Sequence, residues 1–183
     1  PHLAHDFTAQ RLITLERMLR VAGDDTALVE PAFEAYFAAR CEVEHYDDSV
    51  DALERMAARV PLAAVSNGNA CLQRIGLMHL FRFQLGAREH GAAKPARSIF
   101  HAACAQLRCH PSQVLHVGDD ALLDVVGAAE AGLRTCWINR PDNAGVARPW
   151  PHRDVQPDLQ FASLAALAAW LDASRTDIQQ SAA

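Results

Sequence analysis

No apolar run in these 183 residues approaches the roughly 20 consecutive residues needed to cross a bilayer, and none has the make-up of a signal peptide. Positive charge is in short supply: 17 Lys and Arg stand against 22 Asp and Glu, a formal net charge of −5. That excludes the basic footprint expected of a protein that grips nucleic acid or an acidic membrane. The five cysteines are odd in number and lack metal-type spacing, so they read as reduced thiols of a cytoplasmic protein. What the chain does have is apolar content: half its residues, enough for one good core and a small appended subdomain.

Along the chain, helical periodicity comes first. FTAQRLITLERMLRVA (7–22) puts Leu12, Leu15, Leu19 and Ala22 on one face, with Gly23 as the stop. A second helix over about 26–40 carries Phe33, Tyr36 and Phe37, which makes an aromatic-rich helical hairpin. A third, over about 48–59, follows Asp47 and Asp48, both good N-cap residues. Then the character changes to short apolar strands alternating with helices: a strand ending at Ser66, a helix at 70–77, Phe83–Leu85, and a helix over 93–108 opening at Pro95. VLHVGD, a helix over 121–131, TCWIN, PDLQF and a helix over 163–173 follow, and 174–183 reads as a frayed tail. That alternation predicts an α/β fold, a parallel sheet with helices on both faces, whose function sits at the carboxyl ends of the strands.

Two polar clusters fall at such ends. In Ser66–Asn67–Gly68–Asn69, a hydroxyl and backbone N–H groups at a strand-to-helix turn could hold a phosphoryl oxygen near a helix N-terminus; a plain N-cap with a turn glycine accounts for the same residues. In Gly118–Asp119–Asp120, with Asp124 beyond, three carboxylates gather within one turn and repel unless a cation or a helix N-terminus offsets them. Acid-only ligands suit Mg²⁺, whereas helix capping explains one acid well and three poorly. Lys94, placed before the Pro95 helix start, opposes the helix dipole, so an anionic partner is expected; an exposed lysine is the simpler reading. His116 alternates within its strand as a satisfied core histidine would, and His90 lies on the loop toward Lys94.

Taken in order, SNGN, Lys94-Pro95 and GDDALLD resemble the second, third and fourth motifs of the haloacid dehalogenase superfamily, and the likeness extends over about residues 1–173. REHGAAKPARSIF, VLHVGDD and TCWINR look closest to bacterial phosphatases acting on FMN and on the ribitylaminouracil phosphate of riboflavin synthesis. The resemblance implies a Rossmann-like core with a helical cap, residues 1–45 forming part of the cap and 46–173 the core. It also implies that Ser66 and the Asn67 amide bind the phosphoryl group and that Lys94 neutralises it. Asp119 would ligate Mg²⁺, Asp124 would orient a metal water or Lys94, and Asp120 would assist. Acids in the fourth motif, where dehalogenases usually carry Ser and Asn, argue for phosphate-ester hydrolysis.

One family motif has no counterpart. DxDx[TV], which supplies the aspartate nucleophile and acid/base, does not occur, and His5-Asp6-Phe7 has one acid and no preceding apolar strand. Together with a start at Pro1 rather than Met, this leads to the expectation that the working protein has a further N-terminal piece carrying a central strand. The expected activity is Mg²⁺-dependent hydrolysis of a small phosphorylated metabolite by a monomer or homodimer, with the 183 residues inactive alone. Dehalogenase, phosphosugar mutase and non-catalytic phospholigand-binding module are the alternatives.

Overall fold

The computed structural model describes Leu3 and residues 5–180. Its contacts divide the chain into two compact units: one runs to Glu44 and adds Ala63–Ala93, the other joins His45–Leu62 to the residues from Lys94 onward.

In the first unit, α1 (Phe7–Ala22) opens with Asp6 accepting the Ala9 N–H at 2.9 Å and closes at Gly23, whose φ of 78° suits glycine. A 3₁₀ turn, Thr26–Leu28, leads into α2 (Val29–Cys41), so the second expected helix is present with a tighter first turn. The two helices pack together, with Arg11 over the Tyr36 ring at 4.6 Å. The unit's strands are β1 (Ala64–Ser66) and β2 (Gln84–Gly86), paired parallel, with the short helices α4 (Leu72–Ile75) and α5 (Ala87–His90) beside them.

The second unit holds α3 (Ser49–Ala57), α6 (Arg97–Leu107), β3 (Leu115–Gly118), α7 (Gly127–Glu130), β4 (Arg134–Ile138), β5 (Leu159–Phe161) and α8 (Leu164–Gln180). Strands β3, β4 and β5 form a parallel ladder in that order. The two-residue period of the strands sorts the side chains. Leu115, Val117, Cys136, Ile138, Leu159 and Phe161 face α3 and α8 in one apolar core. His116, on the opposite face, meets the α6 ring of Phe100 edge-on at 5.0 Å. Helices therefore cover both faces, as an α/β reading requires. Burial pushes the Cys136 thiol up to about 12, which makes it neutral core filling, and all five cysteines are free.

Several expectations need adjustment. The sheet expected as one is two parallel ladders, β1–β2 and β3–β4–β5. Asp48 stands at the N-cap of α3 but makes no capping bond, because its carboxylate is spent on Arg140 at 2.8 Å and on the Ala165 N–H at 3.0 Å. The helix after Lys94 begins at Arg97, not Pro95. α8 continues to Gln180, past its expected end at 173, and residues 181–183 of the expected tail lie outside the described residues. Among the described residues no helix is long and apolar enough to cross a membrane.

Candidate functional site

Strand β3 ends at Gly118, and the three acids that follow have three different sets of partners. Asp124 is 5% exposed. Its Oδ1 accepts from Lys94 Nζ at 2.6 Å and lies 3.1 Å from His116 Nε2, while its Oδ2 accepts the Asp120 N–H at 3.1 Å. Burial would raise its pKa, but the His116 hydrogen bond and the Lys94 charge outweigh it and bring the carboxyl down to about 2. Gly118 makes this possible. A Cβ there would overlap the Asp124 carboxyl group, so the strand must end on a residue without one.

Asp120 caps the turn that follows. Its Oδ1 accepts the N–H groups of Leu122 at 2.9 Å and Leu123 at 2.8 Å. The turn itself, Ala121–Val126, is π-helical: the Val125 N–H reaches back five residues to the Asp120 carbonyl. The single helix expected over 121–131 is thus a π turn followed by α7, and the wider turn carries Asp124 back under Gly118.

Asp119 differs from both. Trp137 Nε1 and Arg148 Nη2 each donate to its carbonyl at 3.0 Å, which fixes the peptide. Its exposed carboxylate has no hydrogen bond or ion pair among the described residues and borders a cleft of about 780 Å³ shared with Ser49, Arg140 and Arg148. No group of three or more His, Cys, Asp or Glu among the described residues could hold a metal ion. Asp119, Asp120 and Asp124 thus have different partners among the described residues. Asp119 is the one acid of the three whose carboxylate has no hydrogen bond or ion pair among the described residues.

Lys94 precedes a cis peptide to Pro95 and stands outside α6, so it does not face that helix's dipole. The anionic partner it was expected to need is the Asp124 carboxylate. Gly127 lets the two segments close: a Cβ there would come within 2.7 Å of Pro95 Cβ.

The other cluster lies in the first unit. Ser66 Oγ accepts the Gly68 N–H at 3.0 Å, a serine turn that orients the loop. α4 starts only at Leu72, and the Leu72 N–H, one of the donors at that helix N-terminus, goes to Gln84 Oε1 at 2.9 Å. Asn67, Gly68 and Asn69 line a cavity of about 360 Å³ with Phe33, Phe37 and Glu89. Asn69 Nδ2 is buried and has no hydrogen-bond partner among the described residues. Arg40 Nη2 lies 3.7 Å from where a Cβ on Gly68 would stand, a cation that the sequence did not single out.

The structure thus brings Lys94, Asp120 and Asp124 into one cluster and adds His116, while Ser66, Asn67 and His90 belong to the other unit. His116 had a usable signal: two residues before Gly118, it shares the strand face that Asp124 approaches. Trp137 and Arg148 had none, since nothing local ties them to Asp119.

The chain matches the family model of haloacid dehalogenase-like hydrolases over residues 3–132. It is 33% identical over 173 residues to the 5-amino-6-(5-phospho-D-ribitylamino)uracil phosphatase of Escherichia coli K12, covering 92% of this chain and 72% of that enzyme. It is also 33% identical over 127 residues to a pyrimidine 5'-nucleotidase of the same organism, covering 64% of this chain and 56% of that protein. Among solved structures, a 2-haloacid dehalogenase from Pseudomonas syringae pv. Tomato DC3000 superposes with a TM-score of 0.84 at 31% identity, over 94% of this chain and 74% of that one.

Proposed function

The chain belongs to the haloacid dehalogenase-like hydrolases, and on that premise we propose that the protein it comes from is a Mg²⁺-dependent phosphomonoesterase acting on a small phosphorylated metabolite. The observation that carries this reading is the split between Asp119 and Asp124. An exposed carboxylate with no partner of its own among the described residues follows a strand end, and five positions on a buried carboxylate holds the only lysine of the chain. Asp119 would contribute a ligand to Mg²⁺, which when bound offsets negative charge on the phosphoryl group. Ser66 and the Asn67 amide would bind phosphoryl oxygens, and Lys94 would neutralise them. Asp120 and Asp124 would serve as holders, the first of the turn and the second of Lys94.

An aspartate nucleophile would form the aspartyl-phosphate that water then hydrolyses. No residue here fills that place, so the aspartate would come from outside these 183 residues, and this chain alone should release no phosphate. The α1–α2 hairpin, within residues 1–45, would be part of a helical cap over a core spanning 46–173. Phe33 and Phe37 line the same cavity as Asn67, which supports a substrate with a planar ring, FMN or ribitylaminouracil phosphate among them.

A dehalogenase is the second reading, favoured by the likeness to the 2-haloacid dehalogenase fold. Incubating the protein from the complete reading frame with p-nitrophenyl phosphate, FMN or 2-chloropropionate, with and without EDTA, separates the two. Phosphate release that EDTA abolishes is the expected result. Chloride release without metal would establish the dehalogenase instead.

A further inference from the structure

His116 is a part-buried group that the roles above leave unused. Its side chain is 12% exposed, beside Lys94 at 13% and Asp124 at 7%. The Phe100 ring abuts it at 89°, which sets the plane of the imidazole, and Nε2 points at the same Asp124 oxygen that Lys94 occupies. An ionised carboxylate only accepts, so the nitrogen facing it must carry the proton. Two donors on one oxygen is more than binding a lysine needs, and the geometry calls for a reason.

We propose that His116 is a positioning residue for Lys94: its Nε2–H keeps the buried Asp124 carboxylate held while the lysine ammonium shares its hydrogen bonds with an incoming phosphoryl oxygen. This rests on the phosphatase reading of Lys94. Without the second donor, a lysine moving toward substrate leaves a buried charge short of a partner, so it stays bound to Asp124 and meets the anion poorly. With it, Asp124 keeps Oδ1 bound by His116 and Oδ2 bound by the Asp120 N–H throughout. Lys94 is then aimed without being trapped.

Two substitutions separate this role from simple packing. His116→Phe keeps a ring against Phe100 and removes the donor; His116→Gln keeps a donor near the Nε2 position. In the protein from the complete reading frame, His116→Phe should raise both KM for p-nitrophenyl phosphate and the inhibition constant of inorganic phosphate about tenfold, the scale of one hydrogen bond to a charged group. His116→Gln should recover most of that loss. In a Lys94→Ala background, His116→Phe should change neither constant further. Unchanged phosphate inhibition in His116→Phe, no recovery in His116→Gln, or an undiminished effect without Lys94 would overturn the proposal.

Where His116→Phe does not fold, imidazole ¹⁵N shifts of the unsubstituted protein decide. A proton on Nε2 supports the role, and a proton on Nδ1 alone ends it even in an active enzyme. A protein with neither phosphate release nor affinity for inorganic phosphate would instead bring down the phosphatase reading, and this role with it.

Discussion

At Ser66–Asn69 the polar side chains close a small turn or face a cavity, whereas at Gly118–Asp124 a carboxylate is pulled back beneath the strand end and buried with a lysine and a histidine. Both turns follow a parallel strand, and both carry a glycine. The glycines do different work. Around Gly68 the nearest atoms to an added Cβ would be Ser66 Oγ at 3.5 Å and Arg40 Nη2 at 3.7 Å, ordinary contact distances, while at Gly118 the same atom would collide with Asp124. The first turn is therefore adaptable, built from neutral groups that water or a ligand can replace. The second is committed, because a buried charge tolerates little displacement of its partners.

That contrast orders the expected effects. Replacing Gly118 with Ala displaces the Asp124 carboxylate from its partners, and Asp124→Leu strands the Lys94 charge. Either change should cost about 3–5 kcal/mol, the range for breaking a buried pair, in urea unfolding followed by fluorescence. All three tryptophans, Trp137, Trp150 and Trp170, lie in the second unit, so the signal reports that region. Wild-type-like unfolding of Gly118→Ala would erase the distinction between the two turns.

A smaller effect comes from pH. The folded-state value for Asp124, about 2, lies below the ordinary 3.8. The stabilisation is therefore fully present above pH 3.8 and is lost as the pH falls through 2, for a total of about 2 kcal/mol. Asp124→Asn should flatten that part of the stability–pH curve, and an unchanged slope between pH 4 and 2 would show that other carboxyls carry it. Ser66→Ala removes the oxygen that holds the Gly68 N–H and should cost about 1 kcal/mol, read by far-ultraviolet circular dichroism during unfolding. Gly68→Ala, with room for its Cβ, should change stability by less than ~0.5 kcal/mol, the smallest effect of the series.

Much of the fold was legible because period and punctuation are local. Leu12, Leu15 and Leu19 with Gly23 marked α1 to the residue, and the short apolar runs in VLHV and TCWI placed β3 and β4. What escaped depended on contacts distant in sequence. The Asp48 carboxylate is claimed by Arg140 and Ala165, 92 and 117 residues away, so a sound N-cap rule picked the right place and the wrong partner. Spacing alone does not reveal the π turn that folds Asp124 back under Gly118 either. Lys94 was singled out for the right need, a negative partner, but with the wrong geometry, because α6 starts three residues later. His116 is the satisfied histidine its place on the strand implies, but its partner, Asp124, is not legible from spacing.

One side-by-side titration tests the division among the three acids. Mg²⁺ would be titrated against phosphate release from p-nitrophenyl phosphate in the protein from the complete reading frame, with Asp119→Asn beside Asp120→Asn. Asp119→Asn should abolish release at every Mg²⁺ concentration, while Asp120→Asn should keep a Mg²⁺ requirement within a few-fold of the wild type. Full activity in Asp119→Asn, or release that does not depend on Mg²⁺ at all, would contradict it.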